Sequence, residues 1–448
     1  MTAAPDRTRL AELLAGELAT WEQRTGRSRA LLTRASASMP SGVPMAWMRG
    51  LYRHAPIFVD DARGARFRDV DGHEYLDMNQ ADMSMCCGYA PEPVTRAVAA
   101  RIAAGSTFVL PTEDAVVVSE LLAERTAMPR WQYTLSASTA NVEAIRLARV
   151  ATGRERVLTF HGNYHGHIDD TLTDGGPDAV PPGLPRAAAD GVVSVPFNDL
   201  DALDAHLRSG EVACVLTEPA LTNIGLVLPR PGFHEGLRRL TREHGTLLVV
   251  DEAHTFWMGF GGMTRQWQLE PDLLTLGKGL GGGVPIGAYG MTDALGRVME
   301  DHLDVDVADT PGLATGGTTF ANAVSMAGAR AALEHVYDPP GYDRVVGLGA
   351  RLADGLDRML RTHDLPWRAA RLGSRSGFWL SPAPPKDADE AQASMDVELI
   401  DLRRLYLANR GVWEAIATAG PNVGFAHDAG DVDQYLDLVD GFLEAIAS

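Results

Sequence analysis

The stretch GTLLVVDEAHT, residues 245–255, gives the clearest indication of the fold. An apolar run ends there at two adjacent acids, Asp251 and Glu252. Strands with continuous apolar runs are typical of parallel sheets, which are covered on both faces. Ligands bind beyond the carboxyl ends of such strands, so the acids are candidate functional groups. A strand-end aspartate that caps the next turn is the alternative, and this stretch alone leaves both interpretations open.

Outward from this strand, apolar runs alternate with helical patterns over about 200 residues. This alternation predicts an α/β fold with a mostly parallel sheet between two layers of helices. The runs that predict strands are 131–135, 156–160, 212–217, 246–251, 272–276 and 286–291, and the patterns that predict helices are 91–104, 114–127 and 138–151.

The two ends of the chain predict a smaller α+β domain. Residues 8–39 have helical spacing, and three alternating runs within 55–79 resemble short antiparallel strands joined by tight turns. Further helical patterns follow at 322–337, 340–363 and 431–446.

From this distribution we expect three segments. Residues 1–84 contribute to the small domain, residues 85–320 form the large domain, and residues 321–448 form the C-terminal part of the small domain.

The composition excludes several classes of partner. The 448 residues carry 59 acidic and 40 basic side chains, a net charge of −19. Nucleic acids and anionic membranes are bound by basic surfaces, so neither is an expected partner. No run of about 18 apolar residues predicts a membrane-spanning helix. Three cysteines, Cys86, Cys87 and Cys214, are too few for a disulfide framework, so we expect a reducing, cytoplasmic location.

Lysine is almost absent, which draws attention to its two positions, Lys278 and Lys386. Lys386 lies in a polar, proline-rich stretch that is typical of an exposed loop. Lys278 lies in LLTLGKGLGGGVPIGAYG, residues 273–290, between an apolar run and a glycine cluster. Arginine can replace lysine for solubility, but only lysine forms an imine with an aldehyde. Lys278 is therefore a candidate covalent attachment site.

The stretch WQYTLSASTANVEAIRLAR, residues 131–149, predicts a strand, a turn of small residues and a helix. The free N–H groups at the start of that helix, with the Ser138 hydroxyl, form an anion site suited to a phosphate. A simple serine or threonine helix cap is the alternative.

The stretch FHGNYHGH, residues 160–167, places His161, His165 and His167 close together. Three imidazoles could bind zinc, but Gly162 and Gly166 make this segment a turn rather than a rigid helical face, so no metal is expected. The letters DEAH at 251–254 do not indicate a helicase, because the only Gly-Lys pair is followed by Gly279 rather than by Ser or Thr.

Six motifs in order resemble those of the class III, fold type I pyridoxal-phosphate enzymes, which include aminotransferases and the glutamate-1-semialdehyde aminomutase branch. They are SASTAN, FHGNYHG, VLTEPALTNIG, VVDEAHT, LGKGLGGGVPIGAYG and GGTTFAN, and the resemblance covers about residues 35–445. It implies a large domain with a seven-stranded type of sheet, pyridoxal 5'-phosphate as the cofactor, and a homodimer with shared active sites.

The resemblance also implies a role for each matching residue. Lys278 would bind the cofactor aldehyde, and Asp251 would pair with the protonated pyridine nitrogen. The other expected cofactor contacts are Tyr164 and Ala253 on the two ring faces, Ala137 and Ser138 at the phosphate, His254 where the family usually has Gln or Met near the ring hydroxyl, Glu218 and Asn223 in a bordering loop, and Thr318 at the phosphate of the neighbouring subunit.

The sequence departs from the aminomutase pattern in two places. The C-terminal stretch ATAGPNVGF, residues 417–425, lacks the glutamate of those enzymes, and Arg49 lies one position from the expected arginine. We therefore expect an aminotransferase that moves an amino group, in two half reactions, between an amino donor such as an α- or β-amino acid and a 2-oxo acid. An aminomutase or an amino-acid racemase or epimerase is the alternative.

Two further hypotheses come from other classes: a cofactor-binding protein without catalysis, and a metal hydrolase that uses the three histidines. Arg49, Arg265 and Trp47 are candidate substrate contacts, the arginines for a carboxylate and the tryptophan for an apolar pocket.

Overall fold

In the computed structural model, which describes residues 7–173, 180–303, 312–414 and 420–447, the stretch 245–255 contains a buried strand, Leu247–Asp251, as the sequence predicts. Its side chains alternate between the two faces of a sheet, and both faces are covered. Asp251 is therefore the last residue of a strand in the interior.

The strands among the described residues are numbered in chain order. They are β1 (Val59–Arg63), β2 (Arg66–Asp69), β3 (Glu74–Asp77), β4 (Arg130–Thr134), β5 (Arg156–Phe160), β6 (Val192–Val195), β7 (Val212–Thr217), β8 (Leu247–Asp251), β9 (Leu273–Leu276), β10 (Gly287–Met291), β11 (Arg368–Leu372), β12 (Arg375–Trp379) and β13 (Val412–Trp413).

The α-helices of the same residues are α1 (Arg7–Arg24), α2 (Gly26–Ala35), α3 (Ala46–Gly50), α4 (Glu92–Ala103), α5 (Glu113–Thr126), α6 (Ala137–Thr152), α7 (Arg186–Asp190), α8 (Leu200–Leu207), α9 (Phe233–Glu243), α10 (Gly262–Gln266), α11 (Asp293–Asp301), α12 (Ala323–His335), α13 (Pro339–Thr362), α14 (Ala388–Ala393), α15 (Val397–Asn409) and α16 (Ala429–Ala447). The predicted helices and strands quoted by range above are confirmed within a few residues. The analysis of the sequence left other elements unassigned, among them β6, α8, α9, α11 and α15.

The chain forms two compact units. The larger unit consists of Glu92–Asp343 and Pro385–Gln392, and the other is built from the described residues of Met1–Pro91, Arg344–Pro384 and Ala393–Ser448. The domain boundaries expected from the sequence stay a prediction.

The larger unit is built on a seven-stranded sheet of described strands in the order β4-β10-β9-β8-β7-β5-β6. Strands β5 to β9 pair in parallel, and β10 is antiparallel to both of its neighbours. Strand β4 therefore runs in the same direction as β5 to β9. Fold class α/β with a mostly parallel sheet is thus confirmed.

Helix α6 connects β4 to β5 and packs across β7, β8, β9 and β10. Its apolar face, which includes Ala144, Ile145 and Leu147, forms the core on this side of the sheet together with Leu216 and Val249. Because all strands of this sheet except β10 run in one direction, their carboxyl ends lie along one edge, where α6 also begins.

The other unit contains a four-stranded sheet in the order β1-β2-β3-β13 and the hairpin β11-β12. The predicted antiparallel pairing within 55–79 is confirmed by the registers of β1 with β2 and of β2 with β3. Its core joins this sheet to α13, α15 and α16 through buried leucines, valines and aromatic residues. Within the described residues, no helix is long and apolar enough to cross a membrane.

Candidate active site

Five strand ends deliver the candidate residues to one edge of the large sheet. Strand β4 leads to Ser136 and the start of α6, β5 leads to the segment 161–167, β7 to Glu218, β8 to Asp251, and β9 to Lys278. The sheet thus explains how residues more than 100 positions apart in the sequence come together.

Asp251 is buried and accepts hydrogen bonds on both carboxylate oxygens. Oδ2 accepts from Nδ2 of Asn141 at 2.8 Å and from Nδ1 of His165 at 2.9 Å, and Oδ1 accepts from the backbone N–H of Ala253 at 2.9 Å. Burial raises the pKa of this carboxyl, but the bonds from His165, the Ala253 N–H and Asn141 outweigh burial and hold the pKa below its ordinary value. Asp251 is therefore ionised at neutral pH.

The partners of Asp251 are themselves held in place. Asn141 also donates to the carbonyl of His165 at 3.0 Å, and its Oδ1 accepts from the hydroxyl of Thr275 at 2.6 Å. Nε2 of His165 is buried and has no hydrogen-bond partner among the described residues. Nδ1 is therefore the ring nitrogen that donates to Asp251, and this bond fixes the orientation of the imidazole at the carboxylate.

Helix α6 begins with a fully formed cap. The Ser136 side chain accepts from the N–H of Thr139, and the Thr139 side chain accepts from the N–H of Ser136. Ala137 is the first helical residue and has no positive φ, so an alanine fits this position without backbone strain. The other N–H groups in the first turn of this 16-residue helix have no acceptor within the helix. Together with the Ser138 hydroxyl, they point toward the strand ends.

The segment after β5 packs closely on the start of α6. The hydroxyl of Ser138 accepts from the N–H of His167 at 3.2 Å. Gly166 has φ +92°, and a Cβ built there would lie 1.8 Å from Oγ of Ser138. Only glycine fits this position, because any side chain would displace Ser138.

Lys278 follows β9 after one residue, Gly277, and lies next to the same helix start. A Cβ at Gly277 would lie 2.7 Å from the backbone nitrogen of Ala137, so the chain before Lys278 contacts the first residue of α6. Lys278 is half-buried and has φ +43°, a left-handed conformation that is uncommon for a residue with a side chain. Backbone strain of this kind is concentrated at functional sites.

Glu218, at the end of β7, belongs to a second polar network. Its Oε2 accepts from the hydroxyl of Thr222, which is also 2.6 Å from Nδ1 of His254. Its Oε1 accepts from the N–H of Tyr164 at 3.5 Å, and 40% of the Tyr164 residue surface is exposed. Asn223, on the same loop, is half-buried.

The other candidates lie as follows. The guanidinium of Arg265 donates to the carbonyls of Glu124 and Arg125 at 3.3 and 3.0 Å, at the end of α5. Thr318 is exposed in a turn of the larger unit.

The two remaining substrate candidates belong to the other unit. There, Arg49 donates to the carbonyl of His54 at 3.2 Å, and Trp47 is 49% exposed. The stretch 417–425 lies partly outside the described residues.

The three clustered histidines do not form a metal site in the described part of the chain. His165 is bonded to Asp251, and no group of three or more histidine, cysteine or acidic side chains there could hold a metal ion. Asn141, Thr222 and Thr275 were not recognised in the sequence, since only the folded chain brings them to these carboxylates.

These groups match the chemistry of pyridoxal 5'-phosphate. The ionised carboxylate of Asp251 suits a protonated pyridine nitrogen, and Lys278 suits an aldehyde. The start of α6 and the Ser138 hydroxyl form a cradle that suits a phosphate. The exposed ring of Tyr164 offers a flat apolar surface for a heteroaromatic ring.

Comparison with known proteins gives consistent matches. The sequence model for class-III aminotransferases matches residues 49–386. A glutamate-1-semialdehyde 2,1-aminomutase of Chloroflexus aggregans is 33% identical over 440 residues, which cover 93% of this chain and 98% of that protein.

Solved structures agree with the sequence matches. A glutamate-1-semialdehyde aminomutase variant of Pseudomonas aeruginosa in complex with PMP has a TM-score of 0.94 and 34% identity, and covers 99% of this chain and 100% of its own. An omega-transaminase of Sphaerobacter thermophilus has a TM-score of 0.85 and 29% identity, with 94% and 98% covered.

Proposed function

The chain belongs to the class-III aminotransferase family and is a pyridoxal-phosphate enzyme, and from this premise we propose that it moves an amino group between two carbons of one small amino-carbonyl substrate, as an aminomutase. The sequence favoured a two-substrate aminotransferase and kept the aminomutase as the alternative. The observation that carries the alternative is the likeness to aminomutases along nearly the whole chain, with 33% identity over 93% of its length and a TM-score of 0.94.

Lys278 and Asp251 have the central roles in this proposal. The bound cofactor supplies an electron-withdrawing ring that stabilises negative charge at the substrate carbon. Asp251 keeps the pyridine nitrogen protonated, because its carboxylate is ionised at neutral pH. Nζ of Lys278 binds the cofactor and, once released from it, accepts and returns the proton of the substrate carbon.

The remaining contacts orient the cofactor. Tyr164 and Ala253 cover the two faces of the ring, and Ser138 with the N–H of Ala137 holds the phosphate. The loop residues Glu218 and Asn223, with His254, border the ring. Arg49, Arg265 and Trp47 stay proposals for substrate contacts, and the bonds of Arg265 to the carbonyls of α5 reduce its capacity to bind a carboxylate.

A single-substrate assay tests the aminomutase proposal. The loaded enzyme is incubated with glutamate-1-semialdehyde, the compound in the name of its relatives, without any 2-oxo acid. We expect an isomer with the amino group on the neighbouring carbon, detected by chromatography and mass spectrometry. The proposal fails if the reaction stops after one equivalent of keto product per active site and continues only when a 2-oxo acid is added.

A two-substrate aminotransferase is the second candidate, favoured by the 29% identity to the omega-transaminase and by the missing glutamate in 417–425. Amino donors, including β-amino acids, are tested against pyruvate and 2-oxoglutarate. With the donor alone, this function predicts one equivalent of keto product per active site and then no further reaction.

The covalent attachment site is tested separately with the two lysines. After borohydride reduction, peptide mass spectrometry should find the pyridoxyl group on Lys278, and Lys278→Ala protein should lack both the adduct and activity. The matched control is Lys386→Ala, since Lys386 is exposed and paired with Glu390. Equal adduct in Lys278→Ala protein would exclude the proposed site.

We also propose a cytoplasmic homodimer with shared sites. The exposure of Thr318 suits a contact with the phosphate in a neighbouring subunit, and the three cysteines are buried thiols. Light scattering should give twice the mass of the chain, and a stable monomer that retains cofactor would contradict the shared site.

A further inference from the structure

A second carboxylate–imidazole pair lies beside the one formed by Asp251 and His165. Glu218 follows β7, and His254 follows the neighbouring strand β8. Nδ1 of His254 is 3.8 Å from Oε2 of Glu218, which is too long for a direct hydrogen bond. The hydroxyl of Thr222 joins the two, and all three residues are buried.

Glu218, Thr222 and His254 form a hydrogen-bond relay, and the proton of the Thr222 hydroxyl determines its direction. A hydroxyl donates one proton, and Thr222 donates it to Oε2 of Glu218, so the Thr222 oxygen accepts from Nδ1 of His254. Nδ1 of His254 must then carry a proton. In the neutral imidazole, Nε2 is consequently an unprotonated acceptor.

We propose that Thr222 is a positioning residue that fixes this tautomer and thereby makes Nε2 of His254 the hydrogen-bond acceptor for the ring hydroxyl of the bound cofactor. The inference rests on the proposed cofactor site and deepens it, because it assigns a role to Thr222. The relay needs an imidazole at position 254, since neither a methionine thioether nor a glutamine amide has a tautomer for Thr222 to fix.

The relay has a defined effect on the cofactor. An acceptor at the hydroxyl stabilises the hydroxyl with its proton in place. Without the Thr222 hydroxyl, the proton of His254 can lie on Nε2. From there it would donate to the ionised oxygen of the cofactor hydroxyl and stabilise the ionised form instead. Removal of the relay therefore shifts the hydroxyl toward ionisation.

Thr222→Val and Thr222→Ser form the matched pair for the test. Valine keeps the shape of threonine and loses the hydroxyl, whereas serine keeps the hydroxyl. The first measurement uses cofactor-free protein with ¹⁵N-labelled histidine, in which NMR distinguishes protonated Nδ1 from protonated Nε2. We expect protonated Nδ1 in the wild type and in Thr222→Ser, and its loss in Thr222→Val.

The second measurement is the absorbance of the bound cofactor as a function of pH, without substrate. We expect the titration midpoint of Thr222→Val to fall by about one pH unit, a tenfold change in the protonation equilibrium, with Thr222→Ser close to the wild type. Circular dichroism and thermal unfolding check that each variant is folded.

Every other outcome overturns the proposal. An unchanged tautomer in Thr222→Val excludes the relay, and a changed tautomer with an unchanged midpoint leaves Thr222 only a structural role. Neither measurement involves substrate turnover, so a failure of the proposed aminomutase reaction remains distinguishable. The adduct test on Lys278 reports separately on the cofactor site.

Discussion

The charge of a single side chain, Asp251, determines what this site can bind. A buried carboxylate is costly unless hydrogen bonds compensate for lost water, and here Asn141, His165 and the N–H of Ala253 provide them. The pKa of Asp251 stays below its ordinary value, so this group stabilises the fold above about pH 4 and loses that contribution as the pH falls further. At neutral pH it offers a negative charge that a protonated ring nitrogen can neutralise.

His165→Phe should weaken cofactor binding by about 10- to 100-fold, because a hydrogen bond to a charged group is worth about 1.5–3 kcal/mol. Phenylalanine retains the ring but removes the Nδ1–H that donates to Asp251. Equilibrium dialysis of the cofactor measures the effect, and His161→Phe, on the same segment, is the control. Equal weakening in both variants would show that the segment, and not its bond to Asp251, matters.

At the scale of elements, two glycines at the ends of α6 differ in their surroundings. Gly166 packs on Ser138 near the start of the helix, and Gly153 caps its end with φ +68° and has no atom within 4 Å of a built Cβ. Both have left-handed backbones, so alanine causes conformational strain at either position. Only Gly166 also has a steric conflict with the proposed phosphate cradle.

Gly166→Ala should therefore raise the cofactor dissociation constant by at least about tenfold, through loss of the contacts at Ser138. Gly153→Ala should lower the free energy of unfolding by about 1 kcal/mol and leave cofactor affinity unchanged. Fluorescence titration with the cofactor and urea unfolding measure the two effects. Similar cofactor affinities of Gly166→Ala and Gly153→Ala would contradict the proposal that the start of α6 and Ser138 hold the phosphate.

A second unusual element is the left-handed turn Gln80–Met83 in the other unit. Its four residues have φ between 50° and 65°, and none is glycine. The carboxylate of Asp77 accepts the N–H groups of Asn79, Gln80 and Ala81 at 2.9, 2.8 and 3.3 Å. These bonds offset the steric cost of the conformation, which is about 1–2 kcal/mol per residue.

Ala81→Gly should stabilise this turn by about 1 kcal/mol, because glycine has no steric cost at positive φ and Ala81 is exposed. The matched control is Ala15→Gly, at an exposed position within α1, which should destabilise by about the same amount. Opposite shifts of the urea midpoint are expected. A loss of stability in both variants would mean that the turn carries no steric strain.

At the scale of the whole molecule, the patterns that predict correctly are those that depend on neighbours in the chain. The buried strand before Asp251 and the glycine-flanked Lys278 both follow from local sequence. Asn141 lies 110 positions from Asp251, and nothing in its own segment indicates the contact. Thr222 likewise bridges the ends of two strands, a contact that its own segment does not predict. No local pattern predicts the bonds of Arg265 to the carbonyls of α5 either.

The free energy of unfolding of the other unit, the smaller of the two, should fall between about pH 6.5 and pH 4. Two buried histidines there, His54 and His427, resist protonation. Burial lowers the pKa of His54 to about 4, an effect that the Ala55 carbonyl opposes and that Arg404 and Arg49 reinforce. Burial also lowers the pKa of His427. Below pH 6.5 the unfolded chain binds protons that the folded chain does not, so acid favours unfolding.

Replacement of His54 isolates this effect. His54→Phe keeps the ring contacts with Trp21 and Tyr52 but cannot titrate, so its urea midpoint should fall less between pH 6.5 and pH 4 than that of the wild type. The difference should reach about 3 kcal/mol at the acid end of this range, from a shift of about 2.5 pKa units. His335→Phe, at a position with a 52% exposed side chain, should keep the wild-type dependence. If His54→Phe and the wild type lose stability in parallel, the acid sensitivity arises from groups other than His54.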